Sequence, residues 1–339
     1  MDGKLYAVGA LAVVILASAC RPRTSELRAR CAEANKNGVE FLAANQRDNG
    51  GFVTYVWRAT NPERKIPDAT VFTVSQVLHS LTFCEDNETV RRVRERAVSY
   101  LLAQREPAGI WRFFDKVTAR ELSPDVDDTS MAWAALKRSG HPIAADGLNA
   151  VRASRNETGL FNTWIGDPST WKDIDSREID PVVNLNVLLL FGLAQESIET
   201  VCHYVLAQAD GGKFRDGSLY YASPCAFTHA FSRAYADGGV SCLASAVPTI
   251  RAATLSLQQS DGGWGDDLET ARGLLTLVNL GYRGPALERG VNVILARQTS
   301  DGGWAMAPAH NGDARRTRYG SRCFTTAICL EALAKYRKH

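Results

Sequence analysis

At 339 residues the chain is long enough for one large domain or about two of ordinary size. Hydrophobic residues make up 45% and charged residues 22%, and 39 basic against 37 acidic side chains leave a net charge of +2, a balance that excludes disorder, collagen and coiled coil. It also lacks the broad basic footprint of a nucleic-acid binder. Eight cysteines are too few for a disulfide scaffold, and Cys31, Cys84, Cys202, Cys242 and Cys329 read as small apolar packing residues.

The N-terminus comes first in chain order. Lys4 precedes fifteen uncharged residues, Leu5 to Ala19, then Cys20 and Arg21-Pro22-Arg23. That run is short for a membrane span, which needs about 20 residues. It fits the apolar core of a secretory signal, with Ala17-Ser18-Ala19 as a small-residue cleavage pattern. Cys20 after it resembles the acylated cysteine of a bacterial lipoprotein signal, although Ala17 stands where Leu or Val is usual. The expected division is an export or anchor segment at 1–20, a lead-in helix or linker at 21–39, and one domain at 40–339. The expected location is exported or membrane-anchored, with a cytoplasmic membrane-associated protein as the alternative.

The body repeats itself. Gln258-Gln-Ser-Asp-Gly-Gly-Trp264 and Gln298-Thr-Ser-Asp-Gly-Gly-Trp304 agree at every informative position, and related segments end at Phe52, Trp111, Phe161 and Phe214. The anchoring aromatics lie between 40 and 59 residues apart, room for two helices per repeat. Each Gln closes an amphipathic segment, and the Gly-rich turn after it stops that helix. A second helix, apolar on all sides, follows each turn over residues 70–81, 129–137, 182–193, 224–236, 268–280 and 323–335. Helices apolar all round are buried, so these form an inner ring and the amphipathic ones an outer ring. The spacing thus predicts an all-α fold, an (α/α)6 barrel of six helical hairpins, with negligible strand content.

The Gln-x(3)-Gly-x-aromatic repeats resemble the QW repeats of squalene-hopene cyclase and its relatives over about residues 40–339. That resemblance implies the (α/α)6 toroid shared by class II terpene cyclases and the β subunits of protein prenyltransferases.

Six inner helices that start after the same kind of turn bring their N-termini to one end of the barrel. The second start, Ser123-Pro-Asp125-Val-Asp127-Asp128-Thr129-Ser-Met-Ala132, resembles the Asp-x-Asp-Asp-Thr-Ala motif of class II terpene cyclases. The match implies that Asp127 is the general acid that starts cyclisation, supported by Asp125 and Asp128. The residue types suit that use. Three carboxyls within one helical turn cannot all ionise in an apolar cavity, and a carboxylate formed there meets the positive end of the helix dipole. A plain capping role is the simpler alternative.

On the third inner helix Asp180 and Asn184, spaced i, i+4, match the family's polar partner of the catalytic acid, with Asn186 as the other candidate, about 160° away around the helix. Trp133, Trp164, Phe227 and Phe231 are candidates for a cation-tolerant wall; Trp171, Tyr220, Tyr221 and Phe324 belong to the same aromatic set. The arginine-rich loop Asp313 to Arg322 offers Arg318 and Arg322 for a carboxylate or diphosphate. The implied function is cyclisation of a hydrophobic linear isoprenoid, with membrane association, and with no metal or other cofactor. Two alternatives stand beside it: a non-catalytic binding toroid, and a zinc prenyltransferase-like protein using Cys225 and His229, for which a third ligand is missing.

Overall fold

The computed structural model describes residues 5–118, 122–166, 179–216, 218–221, 223–312 and 315–339, with side chains from residue 25 onward. Trp171, Asp313 and the side chain of Cys20 lie outside the described residues.

The repeat turns explain the frame. Gln46, Gln258 and Gln298 each donate through Nε2 to the carbonyl four residues on and to a carbonyl of another outer helix, that of Val93, Ala286 and Ala34 respectively, all at 2.8–3.0 Å. Each turn's indole closes back on the helix it has left. Trp111, Trp264 and Trp304 donate Nε1 to Leu101, Thr254 and Ile294, ten residues earlier, at 2.7–2.8 Å. Their backbone N–H groups are held by Thr129, Thr270 and Thr326 of the following inner helix. The glycines are required by space as well as conformation. At Gly50 (φ +89°) and Gly302 (φ +86°) a Cβ would lie 2.2 and 2.3 Å from carbonyl oxygens of Arg96 and Asn37 on neighbouring helices.

The outer helices are α1 (Leu5–Asn45), α3 (Glu88–Gln104), α5 (Ala145–Ala153), α7 (Glu199–Asp210), α9 (Val247–Ser256) and α11 (Pro285–Arg297). The inner ones are α2 (Val71–Leu81), α4 (Val126–Arg138), α6 (Pro181–Leu193), α8 (Pro224–Ala236), α10 (Asp267–Asn279) and α12 (Arg322–Lys338). Each inner helix packs on the next, and α12 packs on α2, so the succession of contacts closes on itself. All six begin with a side-chain cap, at Thr70, Asp125, Asp180, Ser223, Asp266 and Ser321, which satisfies one of the free N–H groups there. In α1 the lead-in is helical, and Leu27, Cys31 and Ala34 are buried. Among the described residues no helix is long and apolar enough to cross a membrane.

Two expectations are corrected. The fold is mostly helical but not all-α. Strands β1 (Val53–Arg58), β2 (Asn61–Ala69), β3 (His310–Gly312) and β4 (Thr317–Gly320) form an antiparallel sheet in the order β2-β1-β4-β3. β1 pairs with β4 through Tyr55 opposite Gly320 and Trp57 opposite Arg318, so the sheet ties the first repeat to the last just before α2 and α12 begin. Only the β1 segment Val-Thr-Tyr-Val-Trp has strand composition. β2 carries two prolines and is exposed over most of its length, β3 and β4 are very short, and β4 joins β1 only across some 260 residues, so their sequences carry little strand signal. Second, Cys202 and Cys242 do not pack as separate apolar residues. They form a disulfide between α7 and the segment before α9, with Cα atoms 6.2 Å apart.

Candidate active site

The caps set the register of the inner helices. Asp125 spends its carboxylate on the backbone N–H of Asp128 at 2.6 Å, the ordinary capping bond. Asp127, two residues on, is not the cap and points to other partners. Its Oδ1 accepts from Nδ2 of Asn186 at 2.6 Å, and its Oδ2 accepts from the hydroxyl of Tyr221. Asn186 is oriented in turn. Its carbonyl oxygen accepts from Arg233 at 2.6 Å, and Arg233 also donates to Gln76 at 3.0 Å, so the amide has to present its NH2 to Asp127. All of these groups are buried, Asp127 being 8% exposed.

Burial pushes Asp127 up to about 6, opposed by the bonds from Asn186 and Tyr221 and by the Arg233 charge, and reinforced by the charge of Asp180. Burial also pushes Asp125 up to about 7 against its bonds with Asp128, with the Asp127 charge adding to the rise. Asp128 is driven well above the usual carboxylate range by burial and by Asp125. Of the three carboxyls, Asp127 is the one that titrates next to the cavity's own lining.

The cavity is lined by Phe72, Gln76, Val182, Tyr221, Ala226, His229, Ala230, Arg233, Arg272, Phe324 and Ile328. The lining combines the polar side chains of Gln76, His229, Arg233 and Arg272 with the aromatic rings of Phe72, Tyr221 and Phe324. The space amounts to about 20 Å³, on the scale of a single water. His310 of β3 sits over the aromatic side, with ring centroids 4.5 Å from Phe72, 5.1 Å from Tyr221 and 5.6 Å from Phe324.

The structure brings some expected residues together and separates others. Asp125, Asp127 and Asp128 are clustered as the motif implied. Asn184 is not the partner of Asp127. It pairs with both backbone groups of Phe161 at 3.1 Å and with the Asp180 carbonyl at 3.0 Å. In the third repeat it therefore does the work that Thr129 and Thr270 do in the second and fifth. Asp180 caps α6 through Val182 and Val183 and bonds to Ser218 and the backbone of Tyr220, which fixes the turn that carries Tyr221. Burial raises its carboxyl, against those bonds.

The expected wall and anion-binding residues lie elsewhere. Trp133 donates its indole N–H to Gly109 and packs edge-on against Trp111 at 5.1 Å. Trp164 pairs by backbone with Asp125 and meets Tyr220 edge-on. Phe227 is stacked on Phe214 at 5.3 Å and Phe231 follows it into the core. Arg318 lies on β4 and bonds to local carbonyls, and Arg322 forks onto Asp301 and covers Phe41. None of the six lines the cavity. Cys225 is bonded to Glu269, and among the described residues the potential metal ligands that gather in threes are His79, Asp237 and Glu331, where Lys335 already sits 2.7 Å from Asp237 and 3.0 Å from Glu331.

Sequence reasoning missed Tyr221 as a hydrogen-bond partner, and missed Gln76, Arg233 and Arg272. One signal was available. Six residues on from successive caps stand Gln76, Met131, Asn186, His229, Arg272 and Ala327, four of them polar in otherwise apolar helices. Buried polar residues that recur at one register of successive apolar helices mark the faces worth pairing with one another.

Comparisons with known proteins follow this geometry. Residues 89–194 match the model of a family described as the sesquiterpene cyclase astC-like C-terminal domain. No curated protein matches the chain in sequence. Among solved structures it is similar to type II terpene cyclase MstE from Scytonema in complex with geranylgeranyl dihydroxybenzoate, at 16% identity and TM-score 0.73 over 93% of this chain and 99% of that one. It is similar to a protein from Actinoplanes (18%, TM-score 0.71, 90% and 99%) and to ent-copalyl diphosphate synthase from Streptomyces platensis (21%, TM-score 0.59, 78% and 50%). The family model and the structures point the same way: this chain is terpene cyclase-like in fold, and its chemistry has to be argued from its own residues.

Proposed function

We propose that the chain is an (α/α)6 toroid that acts as a class II terpene cyclase, with Asp127 as the general acid that protonates a linear prenylated substrate. The observation that carries this reading is the double hold on Asp127. The Asn186 N–H fixes Oδ1 as the carbonyl-like oxygen, which leaves the proton to Oδ2, beside the Tyr221 hydroxyl. That hydroxyl accepts from the acid before transfer and donates to the carboxylate after it.

The step balances simply. The π pair of a terminal alkene takes the proton from Oδ2, forming a C–H bond and a tertiary cation, which the next alkene along the chain captures as a ring bond. The carboxylate left behind is stabilised by Asn186, Tyr221, the Arg233 charge and the N-terminus of α4. Phe72, Tyr221 and Phe324 present aromatic rings to the cation. Because the cavity holds only about 20 Å³, a prenyl chain fits only if the lining parts. The sharing of this fold with MstE, described with a geranylgeranyl substrate, supports the substrate class.

We also propose the exported or membrane-associated setting expected from residues 1–20. The Cys202–Cys242 disulfide supports it, since such bonds persist in oxidising compartments.

The test is incubation of the purified protein with farnesyl diphosphate, geranylgeranyl diphosphate and geranylgeranyl dihydroxybenzoate, with products identified by mass spectrometry. A cyclic product from wild type and none from Asp127→Asn is the expected result. No cyclic product from any of the three with wild type, or retained activity in Asp127→Asn, overturns the reading.

A further inference from the structure

Resting on the cyclase reading, we propose that His229 is the terminating base, whose Nε2 takes the proton next to the final carbocation and releases the product as an alkene. A cyclisation begun by a proton ends when one is lost, and the mechanism above names no group for that step. His229 lines the same cavity as Tyr221, is 4% exposed, and leaves Nε2 buried with no hydrogen-bond partner among the described residues. Buried polar nitrogens are ordinarily paired, so an unpaired one on a residue that lines a cavity is suited to something the cavity receives.

The other polar groups of the lining are engaged. Tyr221 is bonded to Asp127, Gln76 to Arg233, Arg233 to Asn186 and Arg272 to Glu269. His229 also stands one helical turn before Arg233 on α8, which puts it beside the network that holds Asp127 without belonging to it. The ring is neutral at ordinary pH: burial, then the charges of Arg233, Arg272 and Lys335, hold its pKa well below the usual value. A neutral imidazole has a lone pair to offer, and a carbocation is acidic enough to protonate even a weak base. His310 is likewise buried with a bare Nε2. It packs against Phe72, Tyr221 and Phe324 without being part of the lining, so it is not the group assigned.

The electrons balance. The C–H pair becomes the new π bond, and the proton passes to Nε2. The same burial and cations that keep His229 neutral make its imidazolium unstable, so it yields the proton to water when the site opens. Asp127 regains one from water, and the whole reaction is an isomerisation.

The test uses whichever of farnesyl diphosphate, geranylgeranyl diphosphate or geranylgeranyl dihydroxybenzoate the wild type cyclises. His229→Phe and His229→Gln are compared with wild type by product composition, and folding of each is checked by thermal melting. Both variants are expected to consume the probe, more slowly, while the share of the wild-type alkene falls at least fivefold in favour of other alkene isomers or a water-quenched alcohol. If either folded variant gives the wild-type product in unchanged proportion, His229 is not the base. Asp127→Asn separates this from the parent reading: loss of all cyclisation there, with unchanged product in the His229 variants, sinks the base assignment alone. Retained cyclisation in Asp127→Asn sinks the parent reading and this one with it.

Discussion

Asn186 donates its amide N–H to Oδ1 of Asp127 at 2.6 Å, across 59 residues of sequence, and is itself fixed by Arg233. This bond favours the carboxylate, as does the one from Tyr221. Asn186→Ala and Tyr221→Phe are each expected to raise the pKa of Asp127 and to lower kcat by about 10–100-fold through loss of orientation and of charge stabilisation. The pH profile of kcat checks this. Its alkaline limb should move to higher pH in both variants, a shift that a loss of packing alone would not give.

Asn184 makes the opposite prediction. Its three buried bonds are to backbone groups, so Asn184→Ala leaves those groups unpaired and should cost about 1–3 kcal/mol of stability. In the variant that remains folded the pH profile should be unchanged. Asn184→Thr, which restores the residue type found at Thr129 and Thr270, should recover part of the loss. Urea unfolding of the three proteins measures it.

The contrast between these two asparagines shows what the sequence could tell. The Asp-rich start of α4, the inner-helix bounds and the repeat turns were legible because each is local: a cap, an apolar run, a Gly-rich stop. Asn184 was favoured over Asn186 because its i, i+4 spacing from Asp180 looked like a pair, and that spacing reflects the framework bond to Phe161. The choice depends on the rotation of α6 about its axis, which the neighbours set. Tyr221 precedes α8 and reaches Asp127 only because Asp180 and Ser218 fix its turn. The β1–β4 pairing and the disulfide likewise join distant segments.

Asp127 costs the fold stability at neutral pH. Burial pushes its pKa in the folded state up to about 6, above the ordinary carboxylate value of about 3.9. The protein is thus at its full stability with respect to this group when the carboxyl is protonated, and loses stability as pH rises through about 6. Two pKa units correspond to at most about 3 kcal/mol. Asp127→Asn keeps an acceptor for Asn186 and presents no charge, so it should unfold at a higher urea concentration than wild type at pH 8. The difference should close below about pH 4. An equal or lower midpoint at pH 8 would show that burial does not penalise this carboxylate.

The Cys202–Cys242 bond closes a separation of 40 residues. On chain-entropy grounds it contributes about 4 kcal/mol or somewhat less. Cys202→Ser should lower the melting temperature, and so should reduction of wild type, while reduction leaves the variant unchanged. Non-reducing peptide mapping should recover the two cysteines as one linked pair.

The central claim is that Asp127 delivers a solvent-exchangeable proton to carbon. Turnover in D2O with the substrate that wild type cyclises tests it most directly, read by mass spectrometry and NMR of the product. One deuterium per product molecule, at the carbon of the former terminal alkene, and no cyclic product from Asp127→Asn, is the result predicted here. A cyclic product free of deuterium, or one formed at the wild-type rate by Asp127→Asn, would contradict it.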